Sequence, residues 1–224
     1  MVVCGLSSVF GAVIYHENFD QIMAVGAWNV TQYVYGSSGG GQLGTTDGAP
    51  SLTPYPDGAT WGGFFHFFAA GDKALFINKT SLGTYQANTT YTLSVYIGQR
   101  SDGYAGADWS LSLTKGDVVT ASDHSPAPYL VTLGTTVASA TNITAGSPAS
   151  GWKLVSLTKT IGASDPLIGT AIGVEMYAAY NVPAGGSLQQ LQVDGITLDA
   201  TAVPEPATLL VLGLGGLFLR RRVA

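Results

Sequence analysis

The sequence predicts an all-β protein, a sandwich of about eight to ten antiparallel strands. Short segments rich in Val, Ile, Thr, Tyr and Phe recur along the chain, and turn pairs such as Asp57-Gly58 and Gly116-Asp117 separate them. No segment before residue 203 keeps a helical apolar period for three turns. Charged residues make up 10% of the 224 residues and glycine supplies 30, a composition typical of an extracellular β-domain.

Ten segments have strand character. Alternation of apolar and polar residues is clearest at 91–97 and 154–158, which predicts strands with one buried face and one wet face. In order, the predicted strands are residues 12–19, 28–35, 63–69, 74–77, 90–99, 109–115, 129–136, 152–161, 168–178 and 189–198. Residues 36–57 form the longest stretch without strand character, and we expect a mobile loop there.

The C-terminal tail differs from the rest of the chain. Pro204-Glu205-Pro206 is followed by thirteen mainly apolar residues, 207–219, and then by Arg220, Arg221 and Arg222. As a helix, this stretch would be about 20 Å long against about 30 Å of hydrocarbon core, so it predicts a short transmembrane helix that acts as a transient anchor. The arginine run is expected on the cytoplasmic side, with the preceding chain outside.

This three-part tail closely resembles the PEP-CTERM sorting signal of exopolysaccharide-producing Gram-negative bacteria. The resemblance implies recognition and cleavage by an exosortase near Val203, Pro204, Glu205 and Pro206. The membrane-anchored precursor would then be released or attached at the cell surface or in the extracellular matrix. An ordinary tail anchor is the alternative interpretation.

The N-terminal segment, the net charge and the single cysteine limit the domain organisation and the binding partners of the protein. Residues 1–11 are apolar and rich in small residues, like a partial signal peptide, although no basic residue precedes them. We therefore expect that signal over 1–11, one sandwich domain over 12–202 and the sorting signal over 203–224. The net charge is −5 and Arg220 to Arg222 supply three of the nine basic residues, which leaves no basic patch for nucleic acid. The single cysteine, Cys4, lies in the signal, so the domain folds without disulfides.

Four landmarks of the domain suggest a second family. They are Phe19-Asp20 followed by Trp28, then residues 90–95, 151–158 and 192–198. In this order they resemble the galactose-binding-like jelly roll of many carbohydrate-binding modules. The resemblance implies that the first and last strands lie side by side, and that a structural Ca²⁺ sits near their ends.

The same resemblance assigns the metal carboxylates to Asp20 and Asp194. Gly195 stands where a second acidic residue often stands. Because Ca²⁺ takes six to eight oxygens, backbone carbonyls or water would have to complete the site. The alternative is that Asp20 caps a turn and Asp194 solvates a strand end.

Aromatic residues among glycine and polar neighbours are the candidates for ligand binding. Exposed Trp and Tyr rings stack on sugar C–H groups, while nearby amides and carboxylates bond the hydroxyls. Tyr55, Trp61 and Tyr104 fit this description best. The remaining tryptophans, Trp28, Trp109 and Trp152, are interpreted as core or strand-edge anchors.

The sequence shows no catalytic constellation. It has three histidines, and nothing in it resembles a nucleophile elbow, a zinc spacing or a phosphate-binding glycine loop. His66 is interpreted as filling one face of a strand. Asp102 and Asp108 flank a glycine-rich turn and would suit a small glycoside hydrolase only if both faced one cleft.

The sequence therefore predicts an exported, non-enzymatic protein. Its sandwich is expected to bind carbohydrate, either exopolysaccharide or a surface glycan. One alternative is a structural or adhesive matrix component without a defined ligand, and the other is a small glycoside hydrolase.

Overall fold

A computed structural model describes residues 11–19, 30–35, 42–46, 56, 62–67, 73–78, 81–99, 107–116, 134–143, 145–146, 151–180 and 189–204. These residues form two antiparallel sheets, which confirms the predicted all-β sandwich. The strands are β1 (Ala12–Glu17), β2 (Val30–Tyr35), β3 (Gln42–Thr46), β4 (Gly62–Phe67), β5 (Lys73–Asn78), β6 (Thr89–Gln99), β7 (Asp108–Lys115), β8 (Thr135–Thr141), β9 (Gly151–Ile161), β10 (Ile172–Ala179) and β11 (Gln189–Ala202).

The first sheet has the strand order β3-β4-β11-β6-β9, and β1 also pairs with β11. The second sheet has the order β2-β5-β10-β7-β8. Strands β8 and β9 contact each other and connect the two sheets along one side.

The core lies between the two sheets because alternate residues of each strand face inward. In β6, every second side chain from Tyr91 to Ile97 is buried, and the residues between them are half-buried. This is the period-two pattern of a strand with one face in the core. The largest fully buried side chains include Trp109, Tyr85, Tyr91, Phe19 and Phe76.

Strand β11 organises the first sheet. Its first half pairs with β4, its second half with β1, and both halves with β6. The first and last strands thus lie side by side, as the jelly-roll resemblance implied. A bulge follows Asp194, with Gly195 at φ +58°, a conformation that glycine adopts without strain. Because of the bulge, the next side chain after Val193 that faces the core is that of Ile196 rather than that of residue 195.

Several predicted boundaries were wrong. The predicted loop 36–57 contains β3, whose short segment of weak strand propensity is stabilised by its ladder with β4. Residues 168–170 are a turn rather than the start of β10, because the Thr170 amide donates to the Leu167 carbonyl over 2.9 Å and Gly169 has φ +80°. Ala171 forms only an isolated bridge with Thr84. Strand β11 runs four residues beyond the predicted end at 198.

Other predictions are only partly covered. Strand β8 runs from Thr135 to Thr141, so the predicted strand 129–136 ends five residues too early, and its first five residues lie outside the described ranges. The predicted C-terminal helix, residues 207–219, also lies outside them. Within the described ranges, no helix has the length and apolar character needed to cross a membrane.

Candidate functional site

Polar side chains gather on the outer face of the first sheet, at the start of β11. Leu191 and Val193 face the core, so Gln190, Gln192 and Asp194 lie on the opposite face. They are nonetheless enclosed, with exposed fractions of 6%, 0% and 0%. Buried amides and carboxylates on a sheet face are uncommon unless they bind something or form a network.

An aromatic ring lies beside these groups. The strand register aligns Gln192 with Gly98 of β6, and Gly98 with Trp152 of β9. A methyl group at Gly98 would come within 2.8 Å of both Cβ of Gln192 and Cζ3 of Trp152. The absence of a side chain at residue 98 therefore lets the indole ring lie over the backbone of β6, next to Gln192. We call Gln190, Gln192, Asp194, Gly98 and Trp152 the polar site.

The side-chain amide of Gln192 is fully buried. Among the described residues, neither its Oε1 nor its Nε2 has a hydrogen-bond partner. A buried amide without partners costs about 1–3 kcal/mol, so such a group is usually retained for a reason. An amide offers one acceptor and two donor hydrogens, which matches the hydroxyl groups of a polar ligand.

Asp194 occupies the next position on the same face. Its register partner is Tyr96, which in turn is aligned with Leu154, a residue that is 52% exposed. The bulge immediately after Asp194 locally bends β11. Bulges of this kind often lie next to functional sites, where they re-aim a side chain.

The proposed metal carboxylates are only partly described. Asp20 lies outside the described residues, whereas Asp194 is in β11 as predicted. The end of β1 is near, because Glu17 is aligned with Ile196. The described residues include no group of three or more His, Cys, Asp or Glu that would hold a metal by themselves. Bound calcium therefore stays a prediction.

Glu17 has a role that the sequence analysis missed. Its Oε1 accepts a hydrogen bond of 2.7 Å from the backbone N–H of Phe19, which has the left-handed φ of +56°. The ring of Phe19 packs against Phe76 with centroids 5.3 Å apart. Burial, together with the nearby Glu17 charge, raises the pKa of Tyr15 above its ordinary value. The buried carboxylate thus holds the turn after β1 in place.

The predicted sugar-binding residues Tyr55, Trp61 and Tyr104 lie outside the described residues. The two described tryptophans differ. Trp109 packs in the core as interpreted, whereas Trp152 stands at the start of β9 on the outer face. His66 lies in strand β4, as predicted.

The hydrolase alternative stays open, because only one of its two carboxylates, Asp108, is among the described residues. Asp108 Oδ1 accepts a hydrogen bond of 2.6 Å from Asn142 Nδ2, and Asn142 Oδ1 accepts one from the Trp109 backbone N–H. This arrangement joins β7 to the end of β8. Asp102 lies outside the described residues.

A third buried carboxyl group, that of Glu175, lies on the outer face of the other sheet. Glu175 in β10 is aligned with Ile77 on one side and Ser112 on the other, and burial raises its pKa. The pKa of Tyr177 is also raised, first by burial and then by the charges of Asp108 and Glu175. Because Glu175 belongs to the second sheet, it is not part of the polar site.

Sequence reasoning missed Gln190, Gln192 and Gly98, although two signals were present. Amides alternate with Leu191 and Val193 at the start of β11. A glycine interrupts strand β6, which is rich in Thr and Tyr, and this indicates close approach of a neighbour. Neither signal identifies a site without the register of β11, β6 and β9, which aligns Gln192, Gly98 and Trp152.

The fold and the site define the protein as an all-β sandwich with an aromatic and amide-bearing face. The chain belongs to the HpiC1-like family, because the family model described as HpiC1 cyclase matches residues 10–199. A second match, to the PEP-CTERM protein-sorting motif, covers residues 202–222 and confirms the predicted sorting signal. The motif indicates export with exosortase processing. Among curated proteins, none matches the chain.

Solved structures share the fold at low identity. An apo-form cyclase from Fischerella sp. is 16% identical with a TM-score of 0.52, over 84% of this chain and 90% of that one. A Stig cyclase from Fischerella sp. TAU is 14% identical with a TM-score of 0.49, over 89% and 93%. A xylan-binding CBM22 domain from Paenibacillus barcinonensis is 11% identical with a TM-score of 0.44, over 87% and 97%.

Proposed function

We propose that this exported protein binds carbohydrate at the polar site and does not transform it. The observation that carries the proposal is the Trp152 ring lying over Gly98 beside the buried amide of Gln192. A sugar offers a C–H face that stacks on an aromatic ring and hydroxyls that bond to amides and carboxylates. One ring, two amides and one carboxylate on a single face supply both kinds of contact.

The position of the site along β11 suits a ligand at the cell surface. Gln192 and Ala202 are ten residues apart on this strand, or roughly 33 Å. At the far end, Ala202 is aligned with Thr89, and the Val203 backbone N–H donates to the Asn88 carbonyl over 2.6 Å. The sorting motif therefore begins at the end of the sheet opposite the polar site.

This placement extends the proposal to the protein's location. In a precursor anchored by the short helix 207–219, the polar site would face away from the membrane. The ligand would then be the producer's own exopolysaccharide or a surface glycan, and the processed protein would reside at the cell surface or in the extracellular matrix.

The binding proposal predicts that Trp152→Ala lowers the affinity about tenfold, or 1.4 kcal/mol. The ligands for this test are oligosaccharides released from the producer's exopolysaccharide. Gly98→Ala should have a similar effect, because the added methyl displaces the ring. Isothermal titration measures both affinities. Leu154→Ala is the matched control, since Leu154 is an exposed apolar residue of the same strand. Unchanged affinity in both site variants would contradict the assignment of the binding site, and no binding by the wild-type protein would favour a matrix component without a defined ligand.

Family membership favours cyclisation as a second candidate function. The specific observation is Asp194, a fully buried carboxyl group on the same face as Trp152 that is suited to exchange a proton with a bound small molecule. The probe is 4-(1H-indol-3-yl)butan-2-one, which is bound in a crystal structure of a cyclase from Fischerella sp. TAU. Binding of this compound, lost in Asp194→Asn, with no binding of oligosaccharides would replace the carbohydrate proposal.

We also propose a structural calcium held by Asp20 and Asp194, on the strength of the jelly-roll resemblance. A ligand that binds only the native state at 100 times its Kd adds about 2.7 kcal/mol, which is roughly 5–10 °C in Tm for a domain of this size. EDTA should lower Tm by this amount, and CaCl₂ should restore it. Asp194→Asn should abolish the EDTA effect, whereas Asp199→Asn, on the same strand, should preserve it. If EDTA does not change the Tm of the wild-type protein, the calcium proposal is wrong.

A further inference from the structure

Beyond the polar site, the outer face of the first sheet continues as a regular array of hydroxyl side chains. The register of β11, β6 and β9 places three residues in each of three successive rows. The rows are Thr201, Thr90 and Thr160; Asp199, Thr92 and Thr158; and Thr197, Ser94 and Ser156. We call these nine residues the hydroxyl ladder.

The hydroxyl ladder is open to solvent. Its three β9 members are exposed and its β6 and β11 members are half-buried. The Oγ1 atoms of Thr90 and Thr160 are 2.9 Å apart, which shows that hydroxyls of neighbouring strands meet on this face. His16 of β1 extends the array, since its Nδ1 lies 3.0 Å from Thr197 Oγ1. Eight of the nine side chains carry a hydroxyl group, and Asp199 carries the one charge.

The spacing of the ladder suits an extended polymer of sugars. Neighbouring strands are about 4.8 Å apart, and alternate residues along one strand are about 6.7 Å apart. The strand spacing is close to the length of one pyranose unit in an extended chain, so a chain crossing the strands would place one sugar over each. Every hydroxyl both donates and accepts, as sugar hydroxyls do.

The chemistry of the ladder selects among polymers. The carboxylate of Asp199 lies in the middle row and would repel an anionic polysaccharide. The ladder contains no aromatic ring, so each contact is weak, and affinity requires many contacts made at once along several rows. An ordered, uncharged polysaccharide presents such repeating contacts, whereas a short oligosaccharide does not.

We propose that the hydroxyl ladder is a docking surface for ordered, neutral polysaccharide, continuous with the polar site. This inference rests on the proposed function, which it deepens by naming the ligand class. The two regions share β11, β6 and β9, and they are adjacent, because the row that contains Asp194 of the polar site comes directly before the ladder row of Thr197, Ser94 and Ser156. The polar site holds individual sugars, and the ladder holds the surface of the assembled polymer.

The test compares the exported protein with the double variant Thr92→Val, Thr158→Val. Valine keeps the shape and the strand propensity of threonine but removes the hydroxyl group. The double variant should show about tenfold weaker retention on microcrystalline cellulose, with unchanged Tm and unchanged oligosaccharide affinity. Thr135→Val, Thr136→Val in β8 is the matched control, because both residues are exposed threonines of the second sheet. The conservative pair Thr92→Ser, Thr158→Ser should retain cellulose binding.

Two results would overturn the ladder proposal. One is equal retention of the wild type and the Thr92→Val, Thr158→Val variant. The other is retention on anionic alginate beads as strong as that on cellulose. Failure of the proposed function is recognised separately, since it appears as oligosaccharide affinity that Trp152→Ala leaves unchanged. If the valine variant does not fold, the alginate comparison still decides the proposal.

Discussion

Deletion of residues 204–224 is expected to abolish exosortase processing and surface retention of the protein. The deletion removes Pro204-Glu205-Pro206, the apolar stretch and Arg220 to Arg222, all within or bordering the matched sorting motif. If the apolar stretch and the basic stop anchor the precursor as proposed, the shortened chain has no anchor to present to a membrane enzyme. We expect unprocessed protein in the periplasm or the medium, measured by cell fractionation and by the mass of the recovered chain.

The folded domain should tolerate this deletion, which makes the result interpretable. Strand β11 ends at Ala202, and the hydrogen bond from Val203 to Asn88 remains. The control is a longer deletion that starts at residue 199. It removes the strand pairing of Asp199 to Ala202 with β6 and should lower Tm. Equal surface retention of the full-length chain and the chain ending at Val203 would contradict the sorting assignment.

Replacement of Trp109 by alanine is expected to destabilise the domain by about 3–5 kcal/mol, or roughly 6–20 °C in Tm. Trp109 is 2% exposed and packs between the sheets, so truncation leaves a cavity as well as removing apolar contact. Urea unfolding followed by circular dichroism measures the loss.

The tryptophan on the other face supplies the control. Trp152 is half-buried and lies outside the core cluster, so Trp152→Ala should change the free energy of unfolding much less than Trp109→Ala. Trp109→Phe should cost less than alanine because much of the cavity is filled. Similar losses for Trp109→Ala and Trp152→Ala would show that the core assignment is wrong.

Local patterns predicted most strands because burial on one face imposes a period of two. Residues 91–97 and 154–158 alternate cleanly, and both lie in observed strands, β6 and β9. Strand β3 could not be predicted in this way, because Gln42–Thr46 has little strand propensity and is stabilised by β4. Its pairing partner is distant in sequence, and local pattern carries no information about it.

The polar site was predictable only in part. Asp194 was selected from its resemblance to a family position, whereas Gln192 carries no distinguishing motif. Trp152 was interpreted as an anchor because the sequence does not say which face of β9 it occupies. Gly98 is recognised as part of the site only because Gln192 and Trp152 come within 2.8 Å of the position that a methyl group would occupy there. These two residues are 94 and 54 positions away from Gly98 in the sequence.

The sequence by itself determined the fold class and the sorting signal, because alternation within a strand and a contiguous terminal motif are both local properties of the chain. The tertiary structure decided the strand order, the bulge at Gly195 and the face on which Trp152, Gln192 and the hydroxyl rows meet. These depend on register between strands far apart in sequence, where a shift of one residue would turn every side chain to the other face.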